Sequence, residues 1–149
     1  MMISTKGRYA LRVMLDLAQQ PAGEYISLKS ISQRQAVSMK YMEAIAVKLE
    51  YHEAVVSTVH KAGMVESLRG KKGGYRLTRS ADKYTIGEIL KLTEGSLAPV
   101  TCLECENPCQ RAESCITRPM WLELNKLIDD YLESKTLADL LGEDKKDED

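Results

Sequence analysis

Outside one stretch of 14 residues the chain has no cysteine, and in its full length of 149 it has two histidines, His52 and His60. These scarcities remove several chemistries at once. No Ser/His/Asp set and no H-E-x-x-H pair can be assembled, so the sequence predicts a protein that is not an enzyme. There is no internal repeat. The start, Met1-Met2-Ile3-Ser4-Thr5-Lys6, lacks the apolar run of a secretory leader, and no later run reaches membrane-spanning length. The expectation is a cytoplasmic protein without a membrane partner. In that reducing compartment, grouped cysteines point to metal binding or redox chemistry rather than to a disulfide framework.

What the rest of the chain lacks is concentrated in Cys102-Leu-Glu-Cys105-Glu-Asn-Pro-Cys109-Gln-Arg-Ala-Glu-Ser-Cys115. Cysteines used as small core residues would be scattered. The spacing C-x2-C-x3-C-x5-C within a loop instead brings thiolates together, as an iron–sulfur cluster or another soft metal requires. Zinc sites pair C-x2-C knuckles, and only Cys102 and Cys105 form one. A thiol–disulfide switch without metal is the other alternative.

The net charge of −1 conceals an asymmetry. Residues 1–84 carry 14 Lys+Arg against 7 Asp+Glu, a net +7, and residues 85–149 carry 7 against 15, a net −8. A basic front half suits a polyanion, and an acidic back half would be repelled by one.

Along the chain, Ser4 or Thr5 caps a helix to about Gln20, with Tyr9, Val13 and Leu17 in one stripe and Lys6, Arg8 and Arg12 near its start. The helix dipole does not favour those cations. After Pro21-Ala22-Gly23, Ser27 caps a short helix from Leu28 to about Gln35, and Ser38 caps the next. Two short capped helices so closely joined predict a helix-turn-helix. The second would bury Met42, Ile45, Ala46 and Leu49 and present Ser38, Lys40, Tyr41, Glu43 and Ala44. Residues 50–59 read equally as continued helix or as strand. Val65–Leu68 and Tyr75–Thr78 alternate as short strands around Arg69-Gly70-Lys71-Lys72-Gly73-Gly74, a glycine-rich turn with three positive charges. A hairpin after a helix-turn-helix is a wing, whose arginine can enter a narrow minor groove. The turn fits neither phosphate-loop pattern.

Thr85-Ile86-Gly87-Glu88 is a capping box opening a helix to about Thr93. Thr117-Arg118-Pro119 starts the last long helix, with Trp121, Leu124, Leu127, Ile128 and Tyr131 in an apolar stripe opposite an acidic face. Such a helix needs a partner, and a second copy of the chain is the economical one. Thr136 caps a short helix ending at Gly142, and Glu143–Asp149, without an apolar residue, is expected to be a disordered acidic tail. The predicted fold is mainly α with a small β-hairpin wing. Its predicted organisation is a winged helix-turn-helix over 1–84 and a cysteine loop with dimerisation helices over 85–142.

Ser4-Thr5-Lys6-Gly7-Arg8-Tyr9-Ala10, Ser38 to Glu43, Val65 to Tyr75 and Cys115-Ile116-Thr117-Arg118-Pro119-Met120-Trp121 occur in the order that marks one family. Over roughly residues 2–142 the chain resembles the bacterial IscR/NsrR/CymR-type regulators. The resemblance implies a homodimeric winged-helix transcription factor that binds a palindromic operator in double-stranded DNA. It implies an iron–sulfur cluster in the loop before the dimerisation helix, whose state sets DNA affinity. By position it assigns Ser38, Lys40, Tyr41 and Glu43 to the recognition helix, with Glu43 in base readout and Arg69 in the minor groove. Lys71, Lys72, Lys6 and Arg8 are the further DNA-binding candidates. Cys109 and Cys115 match the second and third cluster cysteines, and Cys102 is the natural first.

Three departures matter. Where the family has a histidine ligand this chain has Arg118, and where some members supply an aspartate it has Arg8. The fourth ligand position is therefore open to Cys105, and two-iron and four-iron clusters both remain open. About ten residues near 50–59 are extra; as helix they would turn the exit by about 1000°, some 80° out of phase, so the insert bulges or the wing sits differently. Lys40 stands where a small polar residue is usual.

Overall fold

The structure, a computed structural model, describes residues 3–50, 63–104 and 109–147. Helix α1 spans Thr5–Ala18, with Ser4 as its N-cap accepting from the Gly7 N–H at 3.1 Å. Ala10, Val13, Met14 and Leu17 lie buried along one stripe, each such burial contributing about 1.5–3 kcal/mol before entropy is set against it. The helix stops two residues short of the predicted Gln20. Pro21 disfavours helical backbone at the residue before it, and the Gln20 N–H closes the last turn on the Leu17 carbonyl at 3.2 Å.

Helix α2, Leu28–Gln35, has the predicted limits: the Ser27 hydroxyl accepts from the Ser30 N–H at 3.1 Å, and Ala36 ends it in the left-handed region with φ 54°. Helix α3, Met39–Glu50, follows at once, capped by Ser38, whose hydroxyl accepts from the Tyr41 N–H at 3.3 Å. Met42 and Ile45 are buried as expected. The insertion past Glu50 falls outside the described residues, as do His52, His60 and Cys105.

Strands β1, Val65–Leu68, and β2, Gly74–Leu77, pair antiparallel with Val65 opposite Leu77 and Leu68 opposite Gly74. The hairpin is seated on the segment before α2. Ile26 and Tyr75 exchange two backbone hydrogen bonds of 2.8 Å, and a Cβ at Gly74 would collide with the Ile26 carbonyl, which is why glycine stands there. At the base of the wing the Tyr84 hydroxyl, fully buried, donates to the Met64 carbonyl at 2.7 Å and accepts from the N–H groups of Thr78 and Arg79 at 2.9 and 3.0 Å.

Helix α4, Ile86–Glu94, packs on α1. Thr85 caps it by accepting from the Glu88 N–H at 3.0 Å, but the predicted capping box is half made: the Glu88 carboxylate pairs with Arg79 at 3.0 Å instead. Helix α5, Arg118–Ser134, lies against α4, joined to it by Lys91, which reaches Asp129 at 2.5 Å and Glu133 at 2.9 Å. At α6, Leu137–Asp147, the capping box is complete: Thr136 N–H donates to the Asp139 carboxylate at 2.9 Å and Asp139 N–H to the Thr136 hydroxyl at 3.1 Å. Leu137 is fully buried and returns α6 to the core of α1, α3 and α4. The helix runs past Gly142 to Asp147, which corrects the expected disordered tail for 143–147. A glycine inside a helix costs about 1 kcal/mol, and the Glu and Lys residues that follow are good helix formers, so Gly142 does not stop it. The result is the winged helix-turn-helix, mainly helical with one two-stranded wing, that the sequence predicts.

Candidate functional site

Helix α3 is held at its start from behind. Asp16, a buried carboxylate on α1, receives Arg34 of α2 in a two-pronged pair at 2.9 and 2.7 Å and the Gln35 amide at 3.0 Å. Arg12 ties the same corner by donating to the Gln35 carbonyl at 2.6 Å, and its guanidinium lies 4.9 Å from the Tyr9 ring centre. The Tyr9 ring in turn meets Tyr41 edge-on, centres 5.6 Å apart at 85°. Tyr41 is therefore half-buried packing at the root of the recognition face, whereas Ser38, Lys40 and Glu43 stand exposed on it.

The wing carries Arg69, Lys71 and Lys72, all exposed, around a turn closed by the Gly73 N–H on the Gly70 carbonyl at 3.0 Å. A side chain at Gly73 would strike the Leu68 carbonyl. At the start of α1, Arg8 is exposed and donates to the Thr5 hydroxyl at 3.2 Å, and Lys6 is half-buried. All these cations lie in the basic front half, on elements packed around α3.

The cysteines lie on the other side of α4. Cys102 sits in a one-turn 3-10 segment, Thr101–Leu103. It and Cys109 line one open cleft of about 1120 Å³ between the end of α4 and α5, together with Lys91, Asn125, Ile128 and Asp129. Cys115 stands at the head of α5, outside that lining. The Thr117 hydroxyl, 3.3 Å away, holds its thiol below the usual range, helped by the N–H groups of Thr117 and Arg118 and by the Arg118 charge. Cys102, Cys109 and Cys115 are free thiols, each half-exposed. Among the described residues no three His, Cys, Asp or Glu side chains come together closely enough to hold a metal ion. The donor chemistry nonetheless suits a soft metal: accessible thiols, one already biased towards thiolate. Arg118 keeps its Nε buried without a hydrogen-bond partner among the described residues.

Several residues that build these sites were not singled out in the sequence. Asp16 has the most visible signal, a carboxylate falling on the apolar stripe between Val13 and Leu17. Lys91, Glu94 and Tyr84 have none, because their partners lie 6 to 90 residues away.

The order of these parts is found in known proteins. A family model described as Rrf2, iron-dependent transcriptional regulator, matches residues 3–143. The chain is 38% identical over 140 residues to the HTH-type transcriptional regulator CymR of Bacillus subtilis, covering 94% of this chain and 89% of that one. The solved structure of that protein, titled the global cysteine regulator, superposes with a TM-score of 0.71 at 36% identity, over 94% of this chain and 95% of the other. T. potens IscR superposes with a TM-score of 0.70 at 35% identity, over 96% and 88%. These relatives are regulators, not enzymes, which agrees with the absence of a catalytic set in the sequence. No helix among the described residues is long and apolar enough to cross a membrane. From residue 3 to residue 143, helix-turn-helix, wing and cysteine-loop half included, this chain belongs to the Rrf2 family of DNA-binding transcriptional regulators.

Proposed function

We propose that the chain is a cytoplasmic, homodimeric regulator that binds a palindromic operator and whose affinity is set by an iron–sulfur cluster in the 102–115 loop. One observation carries the reading. The loop spans the gap between α4, which packs on the DNA-binding half, and α5, whose apolar face is left uncovered by the described residues. A group held there touches both. Cys102, Cys109 and Cys115 would hold the cluster, with Cys105 as the candidate fourth ligand. When bound, it supplies a centre that responds to iron, oxidation, nitric oxide or sulfur status.

The chain's own residues do the rest. Ser38, Lys40 and Glu43 face the major groove, Glu43 accepting from a cytosine amino group. Arg69 enters the minor groove, and Lys71, Lys72, Lys6 and Arg8 neutralise phosphates. Leu124, Leu127 and Tyr131 of α5 meet their copies across the dimer, and that contact fixes half-site spacing.

A second reading has its own support. Cys102 and Cys109 line one cleft as free thiols, which suits a thiol-based regulator without a cluster. Anaerobic purification with assay of iron, sulfide and visible absorbance separates the two. The cluster reading expects coloured protein with iron and sulfide, lost on Cys109→Ala or Cys115→Ala. Colourless wild type without either overturns it in favour of thiols.

A further inference from the structure

Glu94 is the last residue of α4, and the chain turns at Gly95, φ 81°, into the segment that leads to Cys102. Its carboxylate does not stay with its own half of the molecule. Oε1 accepts from the Ser4 backbone N–H at 3.1 Å and from the Ser4 hydroxyl at 2.6 Å. Ser4 is the N-cap of α1, and the same hydroxyl oxygen accepts from the Gly7 N–H at 3.1 Å. Gly7 N–H, Ser4 hydroxyl and Glu94 carboxylate form a relay in which each bond polarises the next.

The contact also answers a defect in α1. The first turn of α1 has no acidic residue and carries Lys6 and Arg8, which the positive end of the helix does not favour. Glu94 supplies from α4 the negative charge that α1 lacks. The approach is close enough to dictate a residue: a Cβ at Gly7 would collide with Glu94 Oε1. Alongside, Ile3 and Glu94 share a cavity of about 220 Å³ with Pro99, Val100, Thr101 and Glu104, so the lead-in to the cysteines rests against the start of α1.

One turn before Glu94, Lys91 faces the other way. It pairs with Asp129 and Glu133 of α5 and lines the cleft that holds Cys102 and Cys109. The last turn of α4 is thus gripped on one side by the cysteine cleft and on the other by the cap of α1. Helix α1 packs directly on α3.

We propose that Glu94 is the positioning residue through which the state of the cysteine loop reaches the DNA-binding half. An ordered loop fixes the end of α4, Glu94 holds Ser4, and the first turn of α1, with Lys6 and Arg8, is set against the operator. A loosened loop releases Ser4 and with it that turn. This rests on the reading above that loop state governs DNA affinity.

The test uses full-length protein in two forms: as purified anaerobically, and after iron stripping with iodoacetamide capping of the thiols. The probe is a duplex recovered from a random-sequence pool by wild-type protein. For wild type the two forms are expected to differ in affinity by about 5–150-fold, the usual range of coupling between sites, and in Glu94→Ala to agree within about twofold. Glu94→Gln, whose amide oxygen still accepts from Ser4, keeps most of the wild-type ratio. Gly7→Ala displaces the carboxylate while improving the helix, so it loses the ratio without endangering the fold. Amide hydrogen exchange at residues 4–8 separates coupling from mere stability: wild type changes protection between the two forms, and Glu94→Ala and Gly7→Ala do not. If both variants keep the wild-type ratio, the role of Glu94 is overturned and the loop reading stands. If wild type binds equally in both forms, the loop reading falls and Glu94 with it.

Discussion

Helices α1 and α5 carry similar apolar stripes and meet opposite fates. On α1, Ala10 and Met14 are fully buried, and even the charged Asp16 is taken into the interior and paired. On α5 no residue is buried, and Leu127 and Tyr131 remain 67% and 61% exposed. The same period therefore means two things. The stripe of α1 finds its cover in α3, α4 and α6, so the front half is closed by its own packing. The stripe of α5 meets α4 along one edge and leaves the rest open, which is the pattern of a helix completed by another molecule.

The largest effect should come from attacking that open face. Leu127→Asp with Tyr131→Asp is expected to cost about 2–4 kcal/mol per buried side chain of the dimer interface, giving monomers by sedimentation while the helical circular dichroism persists. A dimer of unchanged affinity would break the contrast between the two helices. Next is the closed side. Arg34→Met leaves Asp16 buried beside an apolar group. Since the Arg34 side chain is 42% exposed, the cost should fall below that of a fully buried pair, at about 1–3 kcal/mol in urea unfolding. The dimer constant should not move.

A smaller effect sharpens the division within the front half. Glu43→Ala should relax preference at one base position by about 1 kcal/mol, with the salt dependence unchanged. Lys71→Ala with Lys72→Ala should weaken binding to all sequences and lower the salt slope by about 0.9 for each phosphate left without its cation. The smallest is chemical. A lowered thiol pKa means more thiolate at neutral pH, so Thr117→Val should slow iodoacetamide capture of Cys115 there. The difference should vanish above the ordinary thiol range, where both proteins are thiolate.

Local signals carried most of the fold. Ser27 and Ser38 mark α2 and α3 because a cap joins residues three apart, and the wing is legible because alternation and glycine are also local. What escaped is long-range. Glu88 turns from its own capping box to Arg79, a choice made by the packing of the wing's base rather than by the box. Gly142 does not end α6 because helix propensity beyond it outweighs one glycine. Tyr41 has the right position for DNA but spends its ring on Tyr9, whose side chain the periodicity places only in the stripe of α1. The cysteine site is legible as a set of donors, and the structure adds that Cys102 and Cys109 share a cleft with Lys91 while Cys115 heads α5.

The central claim is that the open back half governs the closed front half through the cysteine loop. Operator affinity of the anaerobically purified protein, measured at one fixed salt concentration before and after iron removal and thiol capping, tests it most directly. The account predicts a change of about 5–150-fold, abolished in a Cys109→Ala, Cys115→Ala double variant. Equal affinity in the two forms, with the protein still dimeric and folded, would contradict it.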